Sequence, residues 1–236
     1  FAILVSSAFS EVNVRAAGDQ YGAAQDDFQI SVDYRWAGGT VGGYYPIRIG
    51  LQNRGATREL ELSFRPTSGS QLPVTSRRIS VDQNASVSFT LLIPMAGTGN
   101  WGQLTVTQHG RHLQKLENRI TLPDLDIDNS RPAVLAISPC PLDLQPLEVA
   151  LTSLISSAGH RHYMAATQNS QTIEPFRLPD NWLAYSGVDL VVISMETLGR
   201  FPDAQRAALT DWIRSGGTLL VHSLGELASS SKSLAA

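Results

Sequence analysis

The sequence predicts a protein of two domains, in which an all-β sandwich precedes an α/β domain built on a parallel sheet. Three observations lead to this prediction. Between residues 28 and 123, apolar and polar residues alternate in about seven short stretches that are separated by turn residues. Residues 124–132 are acidic and carry a proline, which indicates a linker. From residue 133 onward, continuous apolar runs alternate with stretches of helical periodicity.

Composition narrows the classes of partner and cofactor. A chain of 236 residues with 42% hydrophobic residues can bury a core in each of two domains. The formal net charge is -3 and no run of Lys or Arg exceeds the pair Arg77-Arg78, so we expect no nucleic-acid partner. Cys140 is the single cysteine, which excludes an internal disulfide and a cysteine-rich zinc site. We expect neither a metal nor an organic cofactor.

The first 27 residues resemble the remnant of a secretory signal followed by a flexible lead-in. Residues 1–9 are apolar or small, but this run is too short to span a bilayer. Val14 and Ala16 then provide the small-residue pattern that a signal peptidase accepts. Residues 17–27 show no periodicity and are predicted to be flexible. We therefore expect an exported bacterial protein, either periplasmic or membrane-anchored and facing the periplasm; the alternative is a buried first strand in which Val12 and Val14 alternate with polar neighbours.

The predicted sandwich spans residues 28–123. Its clearest strand begins at Phe28, where Ile30, Val32 and Trp36 continue one apolar face and polar residues occupy the other. His109-Gly110 is predicted as the tip of a hairpin. Strands at this spacing without helical periodicity indicate an immunoglobulin-like sandwich of about 100 residues. The further strands are predicted at residues 45–51, 60–64, 74–81, 86–93, 102–108 and 113–122.

The second predicted domain, residues 133–228, alternates strands and helices. Such alternation indicates a parallel sheet with right-handed crossovers, as in flavodoxin-like folds. One helix is expected to place Leu147, Leu151, Leu154, Ile155 and Ala158 on one face. Residues 229–236 are low in complexity and are predicted to be a disordered tail. The strands are predicted at residues 133–137, 162–166, 187–194 and 218–221, a helical turn at 181–185, and a second helix from residue 202 to the glycines at 216–217.

Residues 185–226 carry a family resemblance. The stretch YSGVDLVVIS, followed by a helix ending in DWIRSGG and by the strand TLLVHSLGE, resembles the class I glutamine amidotransferase-like domain of exported or membrane-anchored bacterial proteins. The resemblance covers roughly residues 131–226, and the upstream sandwich resembles those that accompany such domains. It implies a flavodoxin-like fold for this part of the chain.

The resemblance also implies a candidate nucleophile. Catalytic members of the family have a Gly-x-Cys-x-Gly turn after the corresponding strand, which exposes the nucleophile beside backbone N–H donors. The matching residues here are Val221-His222-Ser223-Leu224-Gly225, so Ser223 occupies the position of the cysteine and His222 precedes it. The family's histidine and glutamate would follow Ala236. The alternative is that Ser223 is a turn residue that hydrogen-bonds backbone.

Two further candidate sites are weaker. Cys140 follows the first strand of the predicted α/β domain, at the edge where such folds place ligands, although its flanking prolines indicate a rigid loop. Trp36, Tyr44 and Tyr45 would form a carbohydrate-facing platform, but the alternation places Trp36 on the apolar face.

These patterns lead to one main functional hypothesis and two alternatives. The main hypothesis is a non-enzymatic, exported or membrane-tethered interaction module that binds an unknown protein partner in the bacterial cell envelope. The first alternative is a hydrolase or amidotransferase relative that uses Ser223 or Cys140, with the rest of its site outside this chain. The second is carbohydrate binding by the aromatic residues of the sandwich.

Overall fold

A computed structural model of the chain describes residues 20–37, 43–67, 73–95, 101–122, 132–157 and 170–223. Its first part contains two antiparallel sheets. The first sheet has the strand order β1-β2-β3-β6, and the second has the order β5-β4-β7-β8, with β9 also pairing with β7. The strands are β1 (Gln20–Gln25), β2 (Phe28–Asp33), β3 (Tyr44–Asn53), β4 (Arg58–Pro66), β5 (Thr75–Val81), β6 (Ser86–Pro94), β7 (Trp101–Gln108), β8 (Arg111–His112) and β9 (Asn118–Thr121).

The alternating pattern of the sequence translates directly into burial. Successive side chains of a strand point to opposite faces, so every second residue enters the core. Phe28, Ile30 and Val32 are at most 2% exposed in β2, and Leu60 and Leu62 in β4 are buried to the same degree. The prediction of an all-β, sheet-rich first part is therefore confirmed.

The first difference from the prediction concerns the lead-in. Residues 20–25 form a strand that pairs with β2, Gln25 lying opposite Phe28, rather than a flexible segment. The connecting turn places Asp26 at a φ of 56°, a left-handed conformation that Asp tolerates better than most residues. Tyr21 and Ala23 pack against the core, but glycine and alanine in this strand hide the alternation. Residues 1–19, including Val14 and Ala16 of the signal-like segment, lie outside the described residues.

The second difference lies after the hairpin. His109 and Gly110 form its tip as predicted, with φ values of 50° and 76°. The single strand predicted at 113–122 is shorter than expected: a 3₁₀ turn, Gln114–Leu116, occupies its first half, and β9 (Asn118–Thr121) occupies its second half. Leu113 and Leu116 are both buried, and a spacing of three residues fits the three-residue period of a 3₁₀ turn rather than the two-residue period of a strand.

The second part of the chain is an α/β unit with a four-stranded parallel sheet of order β11-β10-β12-β13. Its central strand β10 is buried at all four positions, as expected for a strand covered on both faces. None of the helices in the described part of the chain has the length and apolar character needed to cross a membrane. The elements are β10 (Val134–Ile137), α1 (Gln145–Ser157), β11 (Ser170–Ile173), 3₁₀ turns at Pro175–Arg177 and Trp182–Tyr185, β12 (Leu190–Ser194), α2 (Met195–Gly199), α3 (Asp203–Arg214) and β13 (Thr218–His222).

Helices cover both faces of this sheet. Leu147 and Leu151 of α1 pack against the cluster formed by Val134, Ala136 and Val192. The other face packs against the main core, to which α3 contributes Ala208, Leu209 and Trp212. The strand predicted at 162–166, most of the linker at 124–132 and the tail at 229–236 lie outside the described residues.

The turn from α3 into β13 requires two glycines for different reasons. Gly216 has a φ of +105°, which side chains of L-residues rarely adopt. Gly217 packs against the indole of Trp212, and a Cβ atom at residue 217 would lie 2.2 Å from Cε2 of that ring. The Gly216-Gly217 pair therefore allows β13 to follow closely behind the buried tryptophan.

Substituting Gly217 with alanine will force the Trp212 ring out of its position. We expect Gly217→Ala to lower the free energy of unfolding by about 1–3 kcal/mol, the usual cost of overpacking a core. Gly199→Ala is the matched control, because a Cβ atom at residue 199 meets nothing within 4 Å; it should change stability by less than about 0.5 kcal/mol. Urea unfolding followed by tryptophan fluorescence measures both, and equal stability of the two variants would contradict the packing role of Gly217.

Candidate functional site

The carboxyl edge of the parallel sheet carries both of the nucleophile candidates that the sequence predicts. Cys140 follows β10 after two intervening residues, and Ser223 follows β13 directly. Strand β12 lies between β10 and β13, so the ends of these two strands are separated by two strand spacings, or about 10 Å. Cys140 and Ser223 therefore emerge from non-adjacent strands and do not form one pair.

Ser223 has the backbone conformation of a sharp turn. Its φ is 54°, which is uncommon for a residue with a side chain, and the residue is exposed. His222 Nδ1 lies 2.9 Å from Ser223 Oγ, so the structure joins the two predicted residues by a hydrogen bond between neighbours in sequence. A histidine acting as a base on serine needs a third group to orient its ring. Among the described residues, no carboxylate forms an ion pair with His222; Leu224 and Gly225 lie outside them.

Cys140 lies in a turn that is held by backbone hydrogen bonds. Its N–H donates to Ser138 Oγ at 3.2 Å, and the N–H of Ser138 donates to the carbonyl of Ile173 at the end of β11, at 3.0 Å. Ser138 is 9% exposed, whereas Cys140 is an exposed free thiol. The prediction of a rigid loop at Cys140 agrees with these contacts.

The remaining polar groups at this edge have structural partners. Ser194, at the end of β12, accepts from the N–H of Thr197 at 3.1 Å and donates to Thr197 Oγ1 at 2.8 Å, which caps α2. Glu174, directly after β11, forms ion pairs with Arg177 and Arg35. No group of three or more His, Cys, Asp or Glu side chains that could hold a metal occurs in the part of the chain that the structure describes.

The sandwich contacts the α/β part through three aromatic rings, which we call the aromatic junction: Trp36, Tyr185 and Trp212. Trp36 meets Tyr185 edge-on, with ring centroids 5.5 Å apart and planes at 66°. Tyr185 lies 6.1 Å from Trp212. All three side chains are at most 5% exposed. Edge-on and tilted aromatic pairs of this kind are favourable beyond the area they bury.

Buried hydroxyl groups next to the aromatic junction have hydrogen-bond acceptors. The Tyr185 hydroxyl donates to the carbonyl of Pro179 at 3.1 Å, and that of Tyr45 donates to the carbonyl of Tyr34 at 2.6 Å. Burial, with a smaller contribution from Asp180, raises the pKa of the Tyr185 phenol, so it remains neutral. Tyr45 is only 2% exposed. A carbohydrate platform of Trp36 and Tyr45 is therefore wrong, and the core position predicted for Trp36 is confirmed.

Backbone contacts at the edge of the junction are equally close. A Cβ atom at Gly43 would lie 2.7 Å from the Cα atom of Gly187, so the backbones of these two segments are in direct contact. The N–H of Tyr44 donates to Ser186 Oγ at 3.0 Å, and Arg48 Nη1 donates to the carbonyl of Phe176 at 3.3 Å. The start of β3 is thereby fixed against both 3₁₀ turns of the α/β part.

Four charged side chains form an ion cluster across the same boundary: Asp33, Arg35, Glu174 and Arg177. Asp33 pairs with Arg177 across the boundary and with Arg35 at 3.1 Å on its own side. Glu174 pairs with Arg177 at 2.9 Å and approaches Arg35 at 3.8 Å. All four side chains are between 19% and 33% exposed. Carboxylates and guanidinium groups therefore alternate around a partly buried site, where the attraction between opposite charges is stronger than in fully exposed pairs.

Sequence reasoning missed this cluster. Asp33 and Arg177 are separated by 144 residues, and no local pattern links them.

Sequence reasoning also missed a basic segment. Residues 109–115 contain two histidines, one arginine and one lysine, a concentration of basic residues that a count of adjacent Lys and Arg residues overlooks. Only the folded chain shows which other charges join this segment.

Removing the Trp36 ring, which the sandwich contributes to the aromatic junction, should destabilise the protein. We expect Trp36→Ala to lower the free energy of unfolding by about 3–5 kcal/mol, as for other buried aromatic residues. Trp36→Phe should cost less, because it keeps an aromatic ring and removes an indole N–H that has no hydrogen-bond partner among the described residues. Trp182→Ala, at a residue that is 38% exposed, is the control. Urea unfolding checks the order; an equal loss for Trp36→Ala and Trp182→Ala would contradict it.

The ion cluster can be tested by a double-mutant cycle. We expect a coupling energy of about 1–2 kcal/mol between Asp33→Ala and Arg177→Ala, because the pair is only about one-fifth exposed. The same cycle on Glu196 and Arg200, whose side chains are at least 73% exposed, should give less than about 0.5 kcal/mol. Chemical denaturation of the six variants and the wild type supplies both values. Similar couplings for the two pairs would show that the boundary cluster behaves as a surface pair.

Comparisons with known proteins do not assign a family. No family model and no curated protein matches the chain. Among solved structures, a target of the Northeast Structural Genomics Consortium has 11% identity and a TM-score of 0.27, with 43% of this chain and 85% of that chain covered. A cycloisomaltooligosaccharide glucanotransferase from Paenibacillus sp. has 13% identity and a TM-score of 0.28, with 80% of this chain and 27% of that chain covered. An exo-chitosanase from Amycolatopsis orientalis has 10% identity and a TM-score of 0.24, with 83% and 22% covered. This chain thus spans about a quarter of the length of the two enzymes, and the similarity is too low to identify its fold or function.

Proposed function

We propose that the protein is a non-enzymatic, exported or membrane-tethered interaction module of a bacterial cell envelope, in which the sandwich presents an amidotransferase-like domain to a protein partner. The observation that carries this proposal is the shared core at the aromatic junction. Trp36 of the sandwich and Tyr185 and Trp212 of the α/β part belong to one buried cluster. Large apolar contacts between domains oppose relative motion, so a partner would meet one rigid surface.

The α/β part supports an amidotransferase-like assignment through its topology. Numbering its strands in chain order gives the arrangement 2-1-3-4, which matches the first four strands of flavodoxin-like folds. The upstream pair of antiparallel sheets fits an immunoglobulin-like sandwich of the kind that accompanies such domains in exported proteins. The resemblance at residues 185–226 and the strand order agree in supporting this assignment.

The state of the candidate nucleophiles favours binding over catalysis. Ser223 and Cys140 are both exposed, whereas an acyl-transfer site gains from excluding water around the reacting groups. Glu174, the carboxylate nearest the end of β11, is committed to Arg177 in the ion cluster. Ser194 and Glu174, at the carboxyl edge of the parallel sheet, are therefore engaged in contacts that stabilise the fold.

One specific observation favours the alternative of a hydrolase or amidotransferase relative. Ser223 combines a φ of 54° with a hydrogen bond to His222, and strained turns of this kind expose nucleophiles at the ends of strands. In that mechanism His222 would accept the Ser223 hydroxyl proton as the oxygen attacks a carbonyl carbon, with the orienting acid supplied from outside the described residues.

Turnover measurements distinguish the two functions. For the interaction module we expect no hydrolysis of p-nitrophenyl acetate or L-glutamine above the uncatalysed rate, and identical traces for the wild type, Ser223→Ala and Cys140→Ala. Loss of a serine nucleophile from a true enzyme would reduce turnover by about 10⁴-fold or more. Turnover by the wild type that disappears in Ser223→Ala but persists in Cys140→Ala would overturn the proposal in favour of the hydrolase.

A further inference from the structure

A groove of about 940 Å³ lies at the end of the sandwich that is remote from the α/β part. The β1–β2 turn, the start of β4 and the β7–β8 hairpin surround it. Strand β2 begins next to this groove and ends at Asp33 in the ion cluster, five residues later, a length of about 17 Å. A ligand in the groove therefore does not compete with the contact between the two parts of the chain.

The groove concentrates positive charge that the sequence distributes over distant segments. Arg58, Arg111 and Lys115 line it, and among the described residues none of the three forms an ion pair with a carboxylate. Asp26 is the lining carboxylate. Three cations opposed by one carboxylate leave an excess of positive charge, in a chain whose overall charge is -3. A concave surface with unpaired cations attracts anionic groups.

Arg58 is the best placed of these cations. It is partly buried, and its guanidinium lies 5.9 Å from the centroid of the Phe28 ring, which limits the positions it can adopt. A planar guanidinium held in this way can bind a carboxylate with two parallel hydrogen bonds. Arg111 and Lys115 also line the groove and are exposed, so they supply charge on flexible side chains.

Three carboxamides indicate which kind of anion fits. Gln25, Gln108 and Gln114 also line the groove, and the Oε1 atom of Gln25 is buried without a hydrogen-bond partner among the described residues. A carboxamide both donates and accepts, as a peptide group does. A phosphate dianion offers only acceptors, so it cannot supply the donor that the Gln25 Oε1 atom lacks, whereas a peptide N–H can. An extended peptide satisfies the glutamines with its backbone and the cations with its side chains.

We propose that this groove binds an acidic peptide segment of a protein partner, with glutamate or aspartate carboxylates on Arg58, Arg111 and Lys115 and peptide groups on the glutamines. This inference rests on the proposed function as an interaction module and names the chemistry of its partner. The β7–β8 hairpin, with His109 and Gly110 at left-handed φ values, places Arg111 at the rim of the groove.

Fluorescence anisotropy with two labelled peptides tests the proposal on the whole chain. The probes are fluorescein-Gly-Glu-Glu-Gly-Glu-Glu-Gly and its counterpart with glutamine in place of glutamate. We expect saturable binding of the glutamate peptide. R111E/K115E should weaken this binding about tenfold or more because it reverses the charges that attract the peptide, and salt should weaken it to a similar degree because salt screens them. R58Q should also weaken binding. R200E/R214E, which has the same charge change as R111E/K115E at two exposed sites remote from the groove, is the control and should bind within about twofold of the wild type.

Three outcomes would overturn the proposal. They are the absence of saturable binding up to about 1 mM peptide, equal affinity for the glutamate and glutamine peptides, and an equal effect of R200E/R214E and R111E/K115E. Displacement of the peptide by tripolyphosphate at a lower concentration than by unlabelled peptide would instead identify a phosphate site. Thermal unfolding of each variant excludes misfolding. If the peptide does not bind and Ser223→Ala leaves turnover unchanged, peptide binding by the groove is refuted and the proposed function is not. If turnover depends on Ser223 and the peptide still binds, the proposed function is refuted and peptide binding by the groove is not.

Discussion

The aromatic junction of Trp36, Tyr185 and Trp212 is the contact on which the arrangement of this protein depends. Each ring is buried, and each comes from a different segment: the stretch after β2, a 3₁₀ turn and helix α3. Because Tyr185 contacts both tryptophans, the core of the sandwich and the core of the α/β part form one apolar cluster. Gly217 supports this contact from behind, since its lack of a side chain lets the chain pass directly over the Trp212 ring.

Polar groups around the junction determine the relative orientation of the two parts. Apolar contact alone is not directional, whereas the Asp33–Arg177 ion pair and the Tyr44–Ser186 hydrogen bond fix individual atoms. The backbone contact between Gly43 and Gly187 leaves no room for sliding. A rigid two-part body follows from these contacts, and the proposed role in binding a partner depends on that rigidity.

The two surfaces of functional interest lie in different parts of the molecule, one on the α/β part and one on the sandwich. The carboxyl edge of the parallel sheet holds Ser223 and Cys140 on separate strands, and its other polar groups cap α2 or contribute to the ion cluster. The groove at the far end of the sandwich instead contains cations without ion-pair partners among the described residues. Unpaired charge costs free energy when it is partly desolvated, and a ligand that neutralises it recovers that cost. This contrast is the physical reason for assigning partner binding to the groove.

The sequence by itself determined the β-rich first part, the parallel α/β second part and the positions of most strands, because burial on one face of a strand leaves a period of two residues in the sequence. It also predicted the hairpin tip at His109-Gly110, where local backbone chemistry decides the conformation, whereas the sharp turn at Ser223 was expected from the family resemblance. Strand β1 was missed because glycine and alanine do not reveal which face is buried. The aromatic junction, the ion cluster and the meeting of Arg58 with Arg111 and Lys115 were decided only by the tertiary structure, since each joins residues that are far apart in the chain and that no local period connects.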